Sequence, residues 1–216
     1  MYQRKMAVIQ RGILGGFRNK IGNVVGSSWK GIAVMKALPL SVANPQTAGQ
    51  QAQRAKFSGA SKFGSQILAT IIKPLWDRFA QKESGFNAFV KANLVNFDGG
   101  FLSLTQELKI SKGTLAVPDA VLTVADVSAK TATFTWNAAP VGDANPSDEL
   151  YVVIYNSANQ QVQGFSAVAV RSDAGTVVDV DIEFEVGDSI YGFTAFRKAD
   201  GSKVSNTSVD VRVAQA

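Results

Sequence analysis

Apolar and polar positions follow three different rhythms along this chain. Residues 7–38 carry short apolar runs, Ile13-Leu14, Ile21, Val24-Val25 and Ile32 to Met35, separated by Gly12, Gly15, Gly16, Gly22, Gly26 and Gly31. Runs this short, broken by glycine and serine, predict brief strands joined by tight turns. Asn44-Pro45 ends that pattern, and Thr47-Ala-Gly-Gln50 has the spacing of a helix capping box. Phe57, Ala60, Phe63, Ile67, Leu68 and Ile71 then recur every three or four residues, which predicts one buried helical stripe. Pro74 is expected to stop that helix and open the next, with Leu75, Trp76 and Phe79 on its apolar face. Ser84 is placed to cap a further helix carrying Phe86, Phe89, Val90 and Leu94, with Asn87, Lys91 and Asn93 on its polar side.

From about Leu115 the period becomes two. Ala132, Phe134 and Trp136 alternate with threonines, Leu150 to Tyr155 is continuously apolar, and Val178 to Val186 alternates strictly with Asp179, Asp181, Glu183 and Glu185. Further strands are expected over Ile190–Phe196 and Val204–Val213, with turn signals such as Pro140-Val-Gly-Asp and Lys198-Ala-Asp-Gly between. About seven short strands in ~100 residues predict an immunoglobulin-like or fibronectin III-like sandwich. In it Trp136 is the core tryptophan and Tyr191 a candidate tyrosine corner. The expected class is α+β in two parts. Residues 1–112 form a basic hairpin-and-helix assembly domain, and residues 113–216 an acidic sandwich.

Charge supports that division. Residues 1–116 hold 16 Lys/Arg and 4 Asp/Glu, whereas residues 117–216 hold 6 and 13. Eleven basic residues precede the first acid, Asp77. Such a split suits a basic half that meets a polyanion or acidic protein surface, or head-to-tail association of basic half with acidic half; two unrelated surfaces would also produce it.

Composition removes much of enzymology. The 216 residues contain no Cys and no His, which excludes thiol nucleophiles, zinc-thiolate sites and imidazole-dependent triads. Gly12-Ile-Leu-Gly-Gly16 lacks the Gly-Lys-Ser/Thr ending of a phosphate-binding loop. Ser27-Ser-Trp-Lys30 matches a Ser-x-x-Lys pattern, but the rest of that signature is missing and the chain is short for that fold. The acids at 179, 181, 183 and 185 invite a calcium reading. Same-face strand residues stand about 7 Å apart, however, too far to converge on one ion, so a solvated outer face or edge is expected. No catalytic residue, cofactor or metal site is predicted. The first residues lack the uninterrupted apolar core of a signal peptide, Met6 is an alternative start, and no stretch is long enough to span a membrane, so a soluble product made in the cytoplasm is expected.

Three pieces of sequence carry a resemblance: Met6-Ala-Val-Ile-Gln-Arg-Gly-Ile-Leu-Gly-Gly-Phe17, Gly22-Asn-Val-Val-Gly-Ser-Ser-Trp-Lys-Gly31, and Asn44-Pro-Gln-Thr-Ala-Gly-Gln-Gln-Ala-Gln-Arg-Ala-Lys-Phe57. With Ser84-Gly-Phe-Asn-Ala-Phe89 they resemble a family of unknown function in Bacteroidetes and their phages and prophages. The third piece is also similar to a short helical element in structural genes of tailed phages. The resemblance implies no activity and supplies no catalytic residues. It implies a virion component of capsid surface, neck or tail, localised to the virion.

The expected function is therefore a non-enzymatic structural protein of a tailed-phage virion. Its partners would be other virion proteins and copies of itself in a ring or lattice, with no membrane. Arg11, Arg18, Lys20, Trp29, Lys30, Arg54 and Lys56 are the expected partner-binding residues. Nucleic-acid binding by the basic half is the second reading, although its cations are dispersed and no recognised motif is present. A carbohydrate-binding module is the third, and it lacks aromatics in the sandwich loops Pro140–Pro146, Asn156–Gln160 and Ser172–Gly175.

Overall fold

A computed structural model describes residues 7–8, 18–29, 32–39, 41 and 44–216, apart from the side chains of Ala7, Val8, Trp29 and Val124. The architecture is mixed, helices with antiparallel sheets, as the α+β expectation requires. The chain divides into two compact units, Met1–Gln46 and Thr47–Ala216.

The first unit is one antiparallel sheet. Strands β1 (Ala7–Val8), β2 (Asn19–Ile21), β3 (Val24–Trp29) and β4 (Ile32–Ala37) lie in the order β1-β4-β3-β2. The turn between β2 and β3 is the dipeptide Gly22-Asn23. Gly22 sits at φ +58, a conformation that a two-residue hairpin turn demands and glycine adopts freely. Register places Lys20 opposite Val25 and Val25 opposite Lys36.

The second unit begins with α1 (Ala48–Gln66). The Oγ1 of Thr47 accepts from the backbone N–H of Gln50 at 3.3 Å, the cap that the Thr-x-x-Gln spacing predicts. The helix ends at Ile67, and a ten-residue π-helix, Leu68–Asp77, follows. Pro74 lies inside this π-helix, so the expected break at Pro74 is found seven residues earlier. The N–H groups of Ile71 and Ile72 both bond the Ile67 carbonyl, marking the change from α to π spacing. Helix α2 (Gly85–Asn93) starts at Ser84, whose Oγ accepts from Asn87 N–H at 3.2 Å.

After the small hairpin β5 (Phe97–Asp98) and β6 (Phe101–Leu102) come seven strands. They are β7 (Val121–Asp126), β8 (Thr131–Thr135), β9 (Glu149–Asn156), β10 (Val162–Val170), β11 (Gly175–Asp179), β12 (Ser189–Arg197) and β13 (Ser208–Val213). They form two sheets, ordered β10-β9-β12-β13 and β11-β8-β7. Leu150, Val152 and Ile154 of β9 enter one core with Leu122, Phe134 and Val178 of the smaller sheet. Tyr151, Val153 and Tyr155, on the opposite face, enter a second core with Phe63, Ile71, Leu75 and Phe89 of the helices. That double cover is why Leu150–Tyr155 is continuously apolar.

The helices therefore share a core with the larger sheet. The boundary expected at 112/113 is not where the chain divides: Leu108 and Ile110 lie in that helix-facing core beside Val204, and the division falls at 46/47. Trp136 is buried as expected and donates to the Arg171 carbonyl at 2.9 Å. Tyr191 differs: its ring lies near parallel to Phe193 at 6.5 Å and beside Tyr155, on the helix-facing side of the larger sheet. Asn93, expected on a polar face, is fully buried. Its amide bonds the carbonyls of Phe89 and Lys109 and accepts from Lys109 N–H, tying residues 107–110 to α2.

Candidate functional site

The predicted partner-binding residues distribute over both units. Arg11, Lys30 and the side chain of Trp29 lie outside the described residues. The Trp29 backbone ends β3 opposite Ile32. Arg18 and Lys20 are exposed on the N-terminal sheet, where register brings Lys20 into one cross-strand row with Val25 and Lys36. Neighbouring rows on that face contain Ser27, opposite Val34, and Ile32, opposite Trp29.

Few of this sheet's described side chains are buried. Of its described side chains and glycines only Gly26 and Val34 are buried, while Ile21 is 63 % exposed and Ile32 47 %. A sheet normally buries at least one apolar face to be stable.

Arg54 and Lys56 belong to α1, and they diverge. Two residues along a helix is about 200° of rotation. Arg54 shares its side of the helix with Gln50, Phe57, Ser61 and Lys62. Lys56 is half-buried and faces Asp98 at 3.8 Å, so it is engaged within its own unit. The first seven residues of α1, Ala48–Arg54, are exposed all round, which leaves about two turns standing clear of the core. Phe57, expected within the buried stripe, is 56 % exposed.

The acid-rich stretch after β11 is the most regular charged feature. The strand predicted over Val178–Val186 ends at Asp179, yet its alternation persists in the following residues: Val178, Val180, Ile182 and Phe184 are buried and Asp179, Asp181, Glu183 and Glu185 are exposed. Side chains replace a strand partner here. Asp181 N–H donates to Gln163 Oε1 at 2.7 Å and Glu183 N–H to Gln161 Oε1 at 2.8 Å. The Glu183 carbonyl accepts from Asn156 at 3.1 Å and from Asn159 at 2.5 Å. Asp188 Oδ2 takes Glu185 N–H and the Asn156 amide, which hold its carboxyl below the usual carboxylate range. Lys130 pairs with Glu183 at 3.2 Å. The glutamine-for-backbone substitution leaves no periodic signal, and sequence reasoning missed it.

Two tyrosines of β9 titrate high, since burial disfavours their phenolates. Among the described residues no three acidic side chains are grouped to hold a metal ion, and no helix is long and apolar enough to cross a membrane.

A family model described as a family of unknown function, DUF6266, matches residues 16–210. The chain belongs to that family. The match reaches both compact units and includes β2 to β4 of the N-terminal sheet as well as the helices and strands β5 to β12. No curated protein and no solved structure matches the chain.

Proposed function

We propose that this chain is a non-enzymatic structural protein of a tailed-phage virion that docks through its basic N-terminal region. The observation that carries the reading is the N-terminal sheet, where Ile21, Val24 and Ile32 are exposed among the described side chains. Residues 1–46 contain seven Lys/Arg and no acid, so a surface that covers this sheet is favoured when it is acidic. The exposed start of α1, with Gln50, Gln51 and Gln53, adds amide groups suited to a partner's backbone carbonyls. The similarity of the Asn44–Phe57 segment to tailed-phage structural genes supports the virion assignment.

Residues 113–216 are read as an immunoglobulin or fibronectin III-like sandwich. The pairing supports this. Taken as A, B, C, C′, E, F and G, strands β7 to β13 give A-B-E in one sheet and C′-C-F-G in the other. Fold of this kind specifies no activity, and here it supplies a rigid support.

The test is the composition of particles released from the strain that encodes the chain. Peptides of the chain band with intact particles on a density gradient. Lys20→Glu with Lys36→Glu lowers the particle-bound fraction at least about tenfold, through repulsion at an acidic dock. A chain found only outside particle fractions overturns the reading. Retention of duplex DNA at about 150 mM salt, abolished by the same variant, supports nucleic-acid binding in its place.

A further inference from the structure

We infer that the basic face of the N-terminal sheet docks on the acidic ridge Asp179–Glu185 of a second copy of this chain. The inference rests on the docking role proposed above and names the partner.

The ridge is built to keep its charges outward. Val180, Ile182 and Phe184 anchor it in the core between the two sheets, and Asp179, Asp181, Glu183 and Glu185 take the alternate, exposed positions. At about 7 Å per step the four carboxylates extend over roughly 20 Å. Gln161 and Gln163 hold the ridge backbone from one side and Asp188 ties down its end, so little ordering remains to be done on binding. Lys130 is the cation paired with the ridge, which leaves a clear excess of negative charge. Val177 and Val186, 59 % and 63 % exposed, flank it at either end.

The sheet face has the complementary layout. Lys20 and Lys36 stand two strands apart in one row, about 10 Å, with Val25 between them. Arg18 lies two residues before Lys20 and is also exposed. Farther along the same face, past the buried Val34, Ile32 offers an apolar position that is 47 % exposed. Cations with interleaved apolar residues on one side meet carboxylates with apolar flanks on the other.

The same charges restrict the symmetry. Sheet against sheet brings cations together, and ridge against ridge brings carboxylates together, so a two-fold interface using one patch twice is disfavoured. Sheet to ridge is satisfied either by two reciprocal contacts related by a two-fold or by repetition into a larger closed ring or an open filament.

The test uses the full chain in sedimentation velocity over a hundredfold concentration range. Among the described residues the carboxylates of Asp179 and Glu185 make no hydrogen bond or ion pair, so Asp179→Lys/Glu185→Lys cancels the four ridge charges, and with Lys130 leaves the ridge net positive, without breaking its backbone bonds. Lys20→Glu/Lys36→Glu reverses the sheet. The native chain associates with rising concentration at about 50 mM salt and at least tenfold more weakly at about 500 mM. Each variant alone loses association at least tenfold. An equimolar mixture of the two regains it, since the reversed ridge now faces the reversed sheet and the unchanged patches also match; that recovery shows both variants are folded.

Three results overturn the inference. They are a native chain monomeric at every concentration, association indifferent to both reversals, and two variants with native circular dichroism whose mixture stays dissociated. Loss of self-association with particle incorporation still sensitive to Lys20→Glu/Lys36→Glu leaves the virion role standing and removes only the second copy as partner.

Discussion

Removing one member of the ion pair between Arg171 and Asp148 tests how the core is held together. Both side chains are at most 2 % exposed, and Arg171 Nε lies 3.3 Å from Asp148 Oδ2. The arginine also donates to the Ala116 carbonyl at 3.0 Å and lies 3.9 Å over the Phe196 ring, while its own carbonyl accepts from Trp136. Asp148 Oδ2 additionally accepts from Asn145 N–H at 2.9 Å. Taking one charge away strands the other in a dry interior, which costs about 3–5 kcal/mol. For a unit of this size each kcal/mol lowers Tm by about 2–4 °C, so Arg171→Met or Asp148→Leu is expected to lose roughly 6–20 °C. The double variant Arg171→Met/Asp148→Leu leaves no orphan charge. It still forfeits partners for Ala116 C=O and Asn145 N–H, worth about 1 kcal/mol each, so it loses about 2 kcal/mol, less than either single variant. Thermal and urea unfolding followed by near-ultraviolet circular dichroism measure all four proteins and close the cycle. Single variants that lose less than about 1 kcal/mol, or a double loss equal to the sum of the singles, refute the claim that these charges act as a buried pair.

Gly59→Ala and Gly49→Ala are expected to move in opposite directions although both glycines lie in α1. A methyl on Gly49 meets nothing within 4 Å and gains helix propensity of about 0.5–1 kcal/mol, whereas one on Gly59 runs into the Gly100 carbonyl oxygen and forces α1 off the β5–β6 turn; urea midpoints decide it. Asn93→Leu leaves both the N–H and the C=O of Lys109 without their partner, and a loss of about 2 kcal/mol or more in chemical unfolding is the expected result. Asp188 has a lower carboxyl pKa folded than unfolded, so its stabilisation is present above its ordinary value of 3.8 and is lost as pH falls through the lower folded value. The difference in urea midpoint between about pH 7 and about pH 3 should shrink in Asp188→Asn, and an unchanged difference would count against that role.

Period-two alternation located the strands well because each strand of the packed sheets presents a consistent face to a core. Ala132, Phe134 and Trp136 point inward as their spacing implies. The caps at Thr47 and Ser84 were legible because a cap is a local bond between residues three apart. What the pattern could not supply was the identity of the neighbour. An apolar stripe states that a helix is covered, and the helices of residues 48–93 are covered by the sheet of the supposed second domain. The same limit explains Phe57 and Asn93. Helical spacing groups Phe57 with Phe63, but α1 projects past the core at its start, so Phe57 is exposed. Asn93 reads as polar surface until Lys109, sixteen residues on, arrives to use its amide. The candidate docking face was legible only in part. Lys20 was recognisable as a basic residue without an acidic neighbour, but its alignment with Lys36 depends on two registers fixed by the Gly22 turn and by pairing with β3.

The two ways of dividing the chain disagree for a physical reason. Compactness is decided by buried side chains, and those place the division at 46/47. Charge sign is carried by exposed side chains, and it reverses near residue 116, inside the second unit. Packing constrains exposed charges weakly, since isolated surface ion pairs contribute little to stability. A reversal that the core does not require is consistent with selection on what the surface meets. On the present fold four of the thirteen acids after residue 116 line a ridge whose backbone is secured by side-chain amides, and the N-terminal unit carries cations alone. If docking explains the asymmetry, neutralising the ridge should change association and leave unfolding midpoints almost untouched. Equal losses in both would return the ridge to a purely structural role.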